Sequence, residues 1–469
     1  MGKRIAMLGM RAATFGVAVA LGGFAVPLFG AQGAHAESLG NAVRRAVRTN
    51  PSARAAQAGA AARAGELRGT RSLYLPKVDA FGEAGFVNDS ANGSSRHMDF
   101  TAKVGIEASY TLYDGYRRAN EVYRNAARLD ESLYNALSAA STTALNAVEA
   151  YVDVKRHRDL AAIANTNIAR HREIRRLIVA QVDGGAAPVS DRFQIDERLL
   201  AARSVRQEIR KALADAETKY ERVIGRRPGK GLKVPRVRHL PRSLAALEAA
   251  VRKRNYAIAR AAKAISAAEY ALEGEKGANR PNVSLYGRVS EGNDAGGVKG
   301  RNREAFAGLK LSWTLYDGGL SSARQDTLHA EASEALLRRD ATIREVVEVA
   351  GRSWNAYVLG GKRHAILVRQ ERAASKIVRN YREEYSLSKR SLLDVLDAER
   401  ARFNTGFQRI SAHAAARFAQ YRMLAVQSRL ISHFGAKSSV AVPTYRPVYE
   451  ERVVGRPREV FNVTIEPLR

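Results

Sequence analysis

The segment Tyr110-Thr-Leu-Tyr-Asp-Gly115 returns with a single change as Trp313-Thr-Leu-Tyr-Asp-Gly318, 203 positions further along the chain. Each copy ends a stretch in which apolar and polar residues alternate, and each opens a very long stretch with helical character. A repeat at this distance indicates that the chain consists of two similar halves, and it marks where strand and helix join in each half.

The residues that lead into each repeated segment predict amphipathic strands. The apolar positions are Ile106, Ala108, Tyr110 and Leu112 in the first half, and Leu309, Leu311, Trp313 and Leu315 in the second. Polar residues lie between them, so each strand has one apolar face. A tilted strand of roughly ten residues is long enough to cross a bilayer. A sheet packed on a soluble core has the same period and is the alternative.

The pattern along the chain predicts the same order of elements twice. The first half has a helical stretch at Ser38–Ser72, broken at Asn50-Pro51, and strands at Val78–Val87 and Thr101–Tyr113. The second half has a helical stretch at Leu244–Glu275 and strands at Val283–Ser290 and Ala305–Tyr316. Polar loops at Asn88–His97 and Glu291–Arg303 separate the paired strands. The predicted units are residues 37–226, a linker at 227–242, residues 243–434 and an extended tail at 435–469.

Very long helices follow the strands. From Arg117 to about Gln181 the sequence has no proline, and its apolar residues recur at the alternating spacings of four and three that are typical of coiled coils. A helix of about 65 residues is roughly 100 Å long. Turns at Asp183–Pro188 and Ser386–Ser391 indicate that each long helix is followed by an antiparallel partner.

Four strands per chain cannot close a barrel, and an open sheet edge is not tolerated in lipid. If the strands lie in a membrane, several chains must therefore each contribute four strands. This is a deduction from the number of strands.

The N-terminus has the features of an export signal at residues 1–36. Lys3, Arg4 and Arg11 are basic, an apolar stretch follows, and Ala34-His35-Ala36 matches a cleavage site before Glu37. An uncleaved membrane anchor is the alternative. No long apolar run occurs after Glu37, so no spanning helix is expected there.

The chain is strongly basic, with a formal net charge of +30, or about +27 (30 − 3) after loss of the signal. The basic residues are mostly arginines scattered among acidic residues along the helices, and export argues against a nucleic-acid partner. A solvated surface is one interpretation, and an anionic partner or cargo in the cell envelope is the other. The sequence contains no cysteine, which excludes disulfides, thiolate metal sites and a lipidated N-terminal cysteine.

Three further features carry a family resemblance. They are Leu75-Pro76, Arg280-Pro281 and the segment from Tyr385 to Arg400, which reads YSLSKRSLLDVLDAER. Together with the two Leu-Tyr-Asp-Gly junctions, they make the chain resemble the TolC family of outer-membrane channels from about Ser38 to Phe434. The resemblance implies a mainly α, α+β fold. It also implies a homotrimer with a 12-stranded β-barrel in the outer membrane, four strands per protomer, continuous with a coiled-coil tunnel in the periplasm.

The resemblance also implies a gate at the periplasmic end of the tunnel. Tyr385 and Arg390 correspond to gate residues on the second hairpin, Asp191 to their partner on the first, and Asp394 and Asp397 to acidic rings at the constriction. Ser388 occupies a position where the family usually has glycine. Arginine–carboxylate links suit a gate because they are directional and a docking partner can displace them. Without that context, such residues near a hairpin end are more often helix caps or solvated pairs.

The junction residues have simpler interpretations. Asp114 and Asp317 each precede a glycine, Gly115 or Gly318, at a strand-to-helix turn and are predicted to cap the helices. Tyr110 and Trp313 are candidate membrane-interface aromatics. Packing of the two rings against the helices is the alternative.

We therefore expect a passive export channel in the outer membrane that extends into the periplasm. Its partners would be a periplasmic adaptor (a membrane fusion protein), an inner-membrane ABC or proton-driven transporter, and outer-membrane lipid. In the family that this chain resembles, lipidated members commonly serve drug efflux, and this sequence has no cysteine to carry a lipid. We therefore expect type I protein secretion, with small-molecule efflux as the alternative. A periplasmic coiled-coil scaffold is the rival from another class. Histidines lack ligand spacing and no reaction centre is evident, so we expect no metal, no cofactor and no enzyme activity.

Overall fold

A computed structural model describes residues 37–88, 98–294 and 300–436. The predicted signal at residues 1–36, almost all of the first polar loop and all but the first two residues of the predicted tail lie outside these ranges. Within them, the two halves of the sequence form the same series of elements, as the repeat predicts.

Each half begins with two consecutive helices. These are α1 (Leu39–Thr49) and α2 (Pro51–Arg71) in the first half, and α5 (Leu244–Arg254) and α6 (Tyr256–Glu275) in the second. At the first break the Asn50 side chain accepts the N–H of Ser52 at 3.0 Å and donates to the carbonyl of Val223 at 3.1 Å.

The second break differs from the sequence-based prediction, which has one continuous helical stretch at Leu244–Glu275. Asn255 interrupts it without a neighbouring proline. Its side chain accepts the N–H of Ala257 and donates to the carbonyl of Val426, both at 2.8 Å. The asparagine therefore caps one helix and ties it to the rest of the fold, as Asn50 does in the first half.

The four strands form one antiparallel sheet in the order β1-β2-β3-β4. They are β1 (Lys77–Asn88), β2 (Met98–Tyr113), β3 (Asn282–Asn293) and β4 (Arg301–Ser312). The prediction that the last strand extends to Tyr316 is wrong, because β4 ends at Ser312 opposite Asn282. Pro281 precedes Asn282 and has no N–H to continue the ladder.

The two faces of the sheet differ in polarity. One face exposes a row of apolar side chains that includes Val104, Ile106, Val289 and Leu309. The opposite face has ion pairs between neighbouring or nearby strands, including Glu107–Arg288 at 2.8 Å and Lys103–Glu304 at 3.1 Å. The alternation seen in the sequence therefore separates an apolar face from a polar one.

The remaining long helices form two antiparallel hairpins that extend away from the sheet. The first consists of α3 (Arg117–Asp183) and α4 (Val189–Ile224), and the second of α7 (Leu320–Ser386) and α8 (Leu392–Val426), followed by the short α9 (Leu430–His433). Both α3 and α7 have 67 residues, so each is roughly 100 Å long. No helix in the described ranges is long and apolar enough to cross a membrane.

The two strand-to-helix junctions share one capping device. The Asp114 carboxylate accepts the N–H of Arg118 at 2.9 Å, and the Asp317 carboxylate accepts the N–H of Ser321 at 2.8 Å. In both copies two consecutive residues with positive φ separate this aspartate from its helix. The N-cap positions themselves are Tyr116 and Gly319, not the predicted aspartates. Each aspartate nevertheless accepts an N–H of the first helical turn from two residues before the N-cap.

The surroundings of the two junctions differ. A Cβ on Gly115 would lie 2.6 Å from the carbonyl oxygen of Gly277, whereas a Cβ on Gly318 would meet nothing within 4 Å. The first junction is packed against the end of α6, and the second is bare. The same contrast holds for the helices, since α3 buries side chains along most of its length and α7 buries only five residues in the described protomer.

The largest buried cluster lies midway along the hairpins, where α1, α3, α4, α8, α9 and the segment at 225–243 meet. Its polar centre is Glu37, which is 4 % exposed. The Glu37 carboxylate accepts a hydrogen bond from the Tyr220 hydroxyl at 2.7 Å and pairs with Arg226 at 2.6 Å. Burial, together with this bond, raises the pKa of Tyr220, so its hydroxyl remains a proton donor.

Candidate functional site at the hairpin tips

The free ends of the two hairpins lie side by side and share a small apolar core. It contains Ile174 and Ile178 from α3, Ile195 from α4, and Leu392, Val395 and Leu396 from α8. Tyr381 and Tyr385, near the end of α7, pack against this cluster. The five residues to which the resemblance assigns a gate role therefore lie at or near one packed site that both hairpins build.

The two tips have the same backbone conformation 203 residues apart. Gly185 has φ 70° in the first tip and Ser388 has φ 56° in the second. The N–H of the residue before each of them bonds back to the preceding helix, from Gly184 to Ala180 at 3.1 Å and from Leu387 to Glu383 at 3.2 Å. The serine thus occupies a left-handed conformation that favours glycine, and the shape of the turn is kept.

Asp191 and Asp394 are related by the same repeat, but only one of them acts as a cap. Asp394 forms a capping box with Ser391: its carboxylate accepts the Ser391 N–H at 3.3 Å, and the Ser391 hydroxyl accepts the Asp394 N–H at 3.2 Å. The Ser391 hydroxyl also donates to the carboxylate and lowers the pKa of Asp394. In α4 the residue in the place of Ser391 is Pro188, and no side chain caps that helix.

The other predicted gate residues have specific contacts within the protomer. Tyr385 donates its hydroxyl to the side-chain oxygen of Gln181 on the first hairpin at 2.9 Å. Burial, followed by the nearby charge of Asp191, raises the pKa of Tyr385. Arg390 bonds to Glu384 at 2.9 Å and stacks on the ring of Tyr381, with 4.2 Å from its guanidinium carbon to the ring centroid.

Asp397 also reaches across to the first hairpin, since it lies 3.6 Å from Arg198 of α4. Tyr385 and Asp397 therefore each bridge the two hairpins. In this protomer the partners of Tyr385 and Arg390 are Gln181 and Glu384 rather than the Asp191 that the resemblance implies.

A buried ionic cluster lies just beyond the tips, and the sequence analysis misses it. The Glu399 side chain is 0 % exposed and contacts Arg382 of α7 at 2.7 Å, Arg402 of α8 at 2.8 Å and Arg170 of α3 at 3.8 Å. On the exposed side, Arg382 also pairs with Glu173 of α3 at 3.6 Å. The sequence signal is Glu399 itself, a charged residue among the inward positions of α8, but spacing alone does not reveal its three partners.

The predicted interface aromatics lie close to the junctions. Trp313 follows the end of β4, is largely exposed, and donates its indole N–H to the carbonyl of Asn279 at 3.0 Å. Tyr110 lies within β2, opposite Leu285 of β3. The described residues contain no group of three acidic, histidine or cysteine side chains arranged to hold a metal ion.

This combination of a four-stranded sheet and two hairpins of unusual length is the protomer fold of outer-membrane channels. The chain is 25 % identical over 421 residues to the outer membrane efflux protein BepC of Brucella suis, covering 89 % of this chain and 90 % of that protein. No protein-family model matches the sequence.

Two solved structures show the same fold. The outer-membrane channel OprN superposes with a TM-score of 0.73 at 19 % identity, over 83 % of this chain and 89 % of that one. The Campylobacter jejuni CmeC outer membrane channel superposes with a TM-score of 0.73 at 15 % identity, over 84 % and 86 %. The protomer fold that the resemblance to TolC-family outer-membrane channels implies is thereby confirmed.

Glu399 is expected to hold the two hairpins together at their tips. Replacing it in the variant Glu399→Gln leaves three guanidinium groups around a neutral side chain, and loss of one partner of a buried ion pair costs about 3–5 kcal/mol. We expect trypsin to cleave the exposed second tip at Lys389 and Arg390 at least about tenfold faster than in the unmodified protein. The measurement is the rate at which the intact band disappears.

The matched control is Glu173→Gln, which removes the same charge from an exposed member of the same cluster. Because exposed pairs contribute about 0–1 kcal/mol, its cleavage rate should stay close to that of the unmodified protein. Equal rates for the two variants would show that the buried cluster does not hold the tips together.

Proposed function

We propose that three copies of this chain form a passive export duct through the outer membrane and periplasm. The observation that carries the proposal is that one side of the protomer is unfinished. The sheet has an edge at β4, the second junction beside it is bare, and α7 buries few residues although it is as long as α3.

The internal repeat indicates what covers this side. The first junction packs on α6, the helix that precedes the strands of the other half. The equivalent helix for the second junction is α2, and in this protomer α2 already lies against α3. We infer that α2 of the next copy covers the bare junction and that β1 of the next copy pairs with β4. Three copies is the number that the family resemblance implies.

The antiparallel order of the strands supports this closure. With four strands in sequence, β1 and β4 run in opposite directions, so β4 of one copy pairs with β1 of the next in the same antiparallel manner. Three sheets then make a 12-stranded barrel without an edge, as a membrane sheet requires. The apolar face would contact lipid and the polar face, with its ion pairs, would line the lumen.

We predict that the protein fractionates with the outer membrane as a trimer that resists SDS until it is boiled. In the variant Tyr316→Asp we expect loss of that band, because Tyr316 is 87 % exposed in the protomer and a charge would be buried between copies. The control Tyr316→Phe should keep the trimer. A water-soluble periplasmic monomer in the unmodified protein would instead indicate a scaffold.

We propose that the hairpin tips form the periplasmic gate of this duct. Tyr385–Gln181 and Asp397–Arg198 link the hairpins within a protomer. The Asp191 carboxylate, which does not cap its helix, remains available to Arg390 of a neighbouring copy, and Asp394 and Asp397 would form acidic rings. A docked adaptor and an inner-membrane transporter, which supplies the energy, would open these links.

Tyr385→Phe is expected to raise the resting conductance of the channel in planar bilayers. It removes one hydrogen bond per protomer, worth about 1 kcal/mol, which shifts the closed–open equilibrium of each protomer's hairpin tips about fivefold. Tyr381→Phe is the control, because it keeps the ring on which Arg390 stacks and should leave the conductance unchanged. A Tyr385→Phe channel with unmodified conductance would exclude this link from the gate.

For the cargo, we propose a protein substrate of type I secretion. The sequence has no cysteine to carry a lipid, whereas the drug-efflux members of the family it resembles are commonly lipidated. Small-molecule efflux is the second candidate, favoured by the similarity to a protein named for efflux. Deletion of the gene separates them. Type I secretion predicts the loss of specific proteins from the culture medium at unchanged drug susceptibility, and efflux predicts sensitisation with an unchanged set of secreted proteins.

A further inference from the structure

The segment between the two halves carries charges of one sign only. Residues 226–242 contain seven lysines and arginines and no acidic residue: Arg226, Arg227, Lys230, Lys233, Arg236, Arg238 and Arg242. Elsewhere the arginines of the long helices alternate with carboxylates and form many ion pairs, such as Arg158–Glu217 and Arg175–Asp196. We call residues 226–242 the basic segment.

The backbone of the basic segment is held firmly although it contains no helix or strand. Arg158 of α3 donates to the carbonyl of Gly229 at 2.6 Å, and the N–H of Lys233 donates to the Tyr151 hydroxyl at 3.1 Å. The N–H of Val237 donates to Gln420 of α8 at 3.0 Å. Leu232 and Val237 are buried. The segment is thus fixed to α3 and α8, and the positions of its basic side chains are restricted.

Two of the seven basic side chains of this segment have acidic partners, and five have none among the described residues. Arg226 pairs with Glu37 and Arg227 with Glu221. The other five are without an ion pair to any described residue, and all five are exposed: Lys230, Lys233, Arg236, Arg238 and Arg242. Uncompensated like charges so close together raise the electrostatic energy of the folded protein, and a bound anion would relieve it.

A recess continues this surface at the C-terminal end of the basic segment. It has a volume of about 420 Å³ and lies between His239, Lys253 and Arg254 of α5, and Arg429. Lys253, Arg254 and Arg429 are exposed and, in the described part of the chain, unpaired. His239, Leu240 and Pro241 of the basic segment line this recess, so the recess adjoins the segment. We call the exposed cations of the basic segment, together with Lys253, Arg254 and Arg429, the basic band.

The position of the band restricts the kind of partner. Its contacts with α3 are at Tyr151 and Arg158, between 34 and 41 residues along a helix that starts at Arg117 beside the sheet. At 1.5 Å per residue this is roughly 50–60 Å from the sheet, and electrostatic attraction is screened within about 10 Å. Lipid headgroups at the membrane surface are too far away to be the partner.

We propose that this band binds the peptidoglycan layer through the carboxylates of its peptide stems. An extended polymer with repeated carboxylates matches a row of at least five exposed cations, and arginine and lysine both bind carboxylates. The contact would hold the duct in place in the cell wall. This inference rests on the proposed insertion of the sheet in the outer membrane, which sets the depth of the band.

The test is co-sedimentation of the purified full-length protein in detergent with purified sacculi from which proteins have been removed. We expect the unmodified protein to sediment with sacculi at low salt. The triple variant Lys233→Gln, Arg236→Gln, Arg238→Gln should lose about fivefold or more of the bound fraction. Sacculi whose carboxylates have been converted to neutral amides should bind neither protein.

The matched control is the triple variant Arg203→Gln, Arg210→Gln, Lys211→Gln, which removes the same charge from exposed positions of α4 and should bind like the unmodified protein. Equal loss in both variants would overturn the proposal in favour of net-charge attraction. Absence of binding by the unmodified protein would also overturn it and point to a protein partner. The amount of SDS-resistant trimer in the outer membrane is measured separately for the triple variant Lys233→Gln, Arg236→Gln, Arg238→Gln. A loss of membrane insertion is thereby distinguished from a loss of binding to the cell wall.

Discussion

A lipid bilayer offers no hydrogen-bond partners to a polypeptide backbone, so every N–H and C=O of a sheet in the membrane must be paired. In the duct proposed above, this constraint falls on the two edges of the sheet, β1 and β4, and beside β4 the second strand-to-helix junction and α7 are also uncovered. The first half has the same elements packed against the second half. An internal repeat that buries one of its two equivalent surfaces and exposes the other is the observation from which we propose a neighbouring copy. The proposed trimer follows from this asymmetry together with the family resemblance.

The repeat also explains how the two hairpin tips diverge while keeping one shape. Gly185 and Ser388 hold the same left-handed turn. Asp394 is used by the capping box of its own helix, whereas Pro188 leaves Asp191 without that role. Of these two equivalent carboxylates, Asp394 caps its own helix, and Asp191 is the one that we propose to contact a neighbouring copy. The buried Glu399 cluster adds a second tie between the hairpins.

Much of the fold is predictable from the sequence because its signals are local and periodic. The duplicated Leu-Tyr-Asp-Gly junctions predict the two halves, the alternation of residues predicts the strands, and the proline-free coiled-coil pattern predicts α3 within two residues of its end. Two errors have causes that lie outside the mispredicted segment, and the periodicity of that segment does not carry them. The helix break at Asn255 depends on a carbonyl contributed by Val426, and the end of β4 depends on Pro281, which precedes the strand that pairs with it.

The candidate site was predictable in its position and less so in its contacts. Tyr385, Asp394 and Asp397 were placed at the hairpin tips by resemblance, but Gln181 as the partner of Tyr385 lies 204 residues away and has no signal in the sequence. By itself, the sequence determined the duplicated architecture, the export signature and the amphipathic strands, because these depend on residues close together in the chain. Only the tertiary structure decided which surfaces are bare, which charges are buried and which are unpaired, because those properties arise from residues that packing brings together from distant segments.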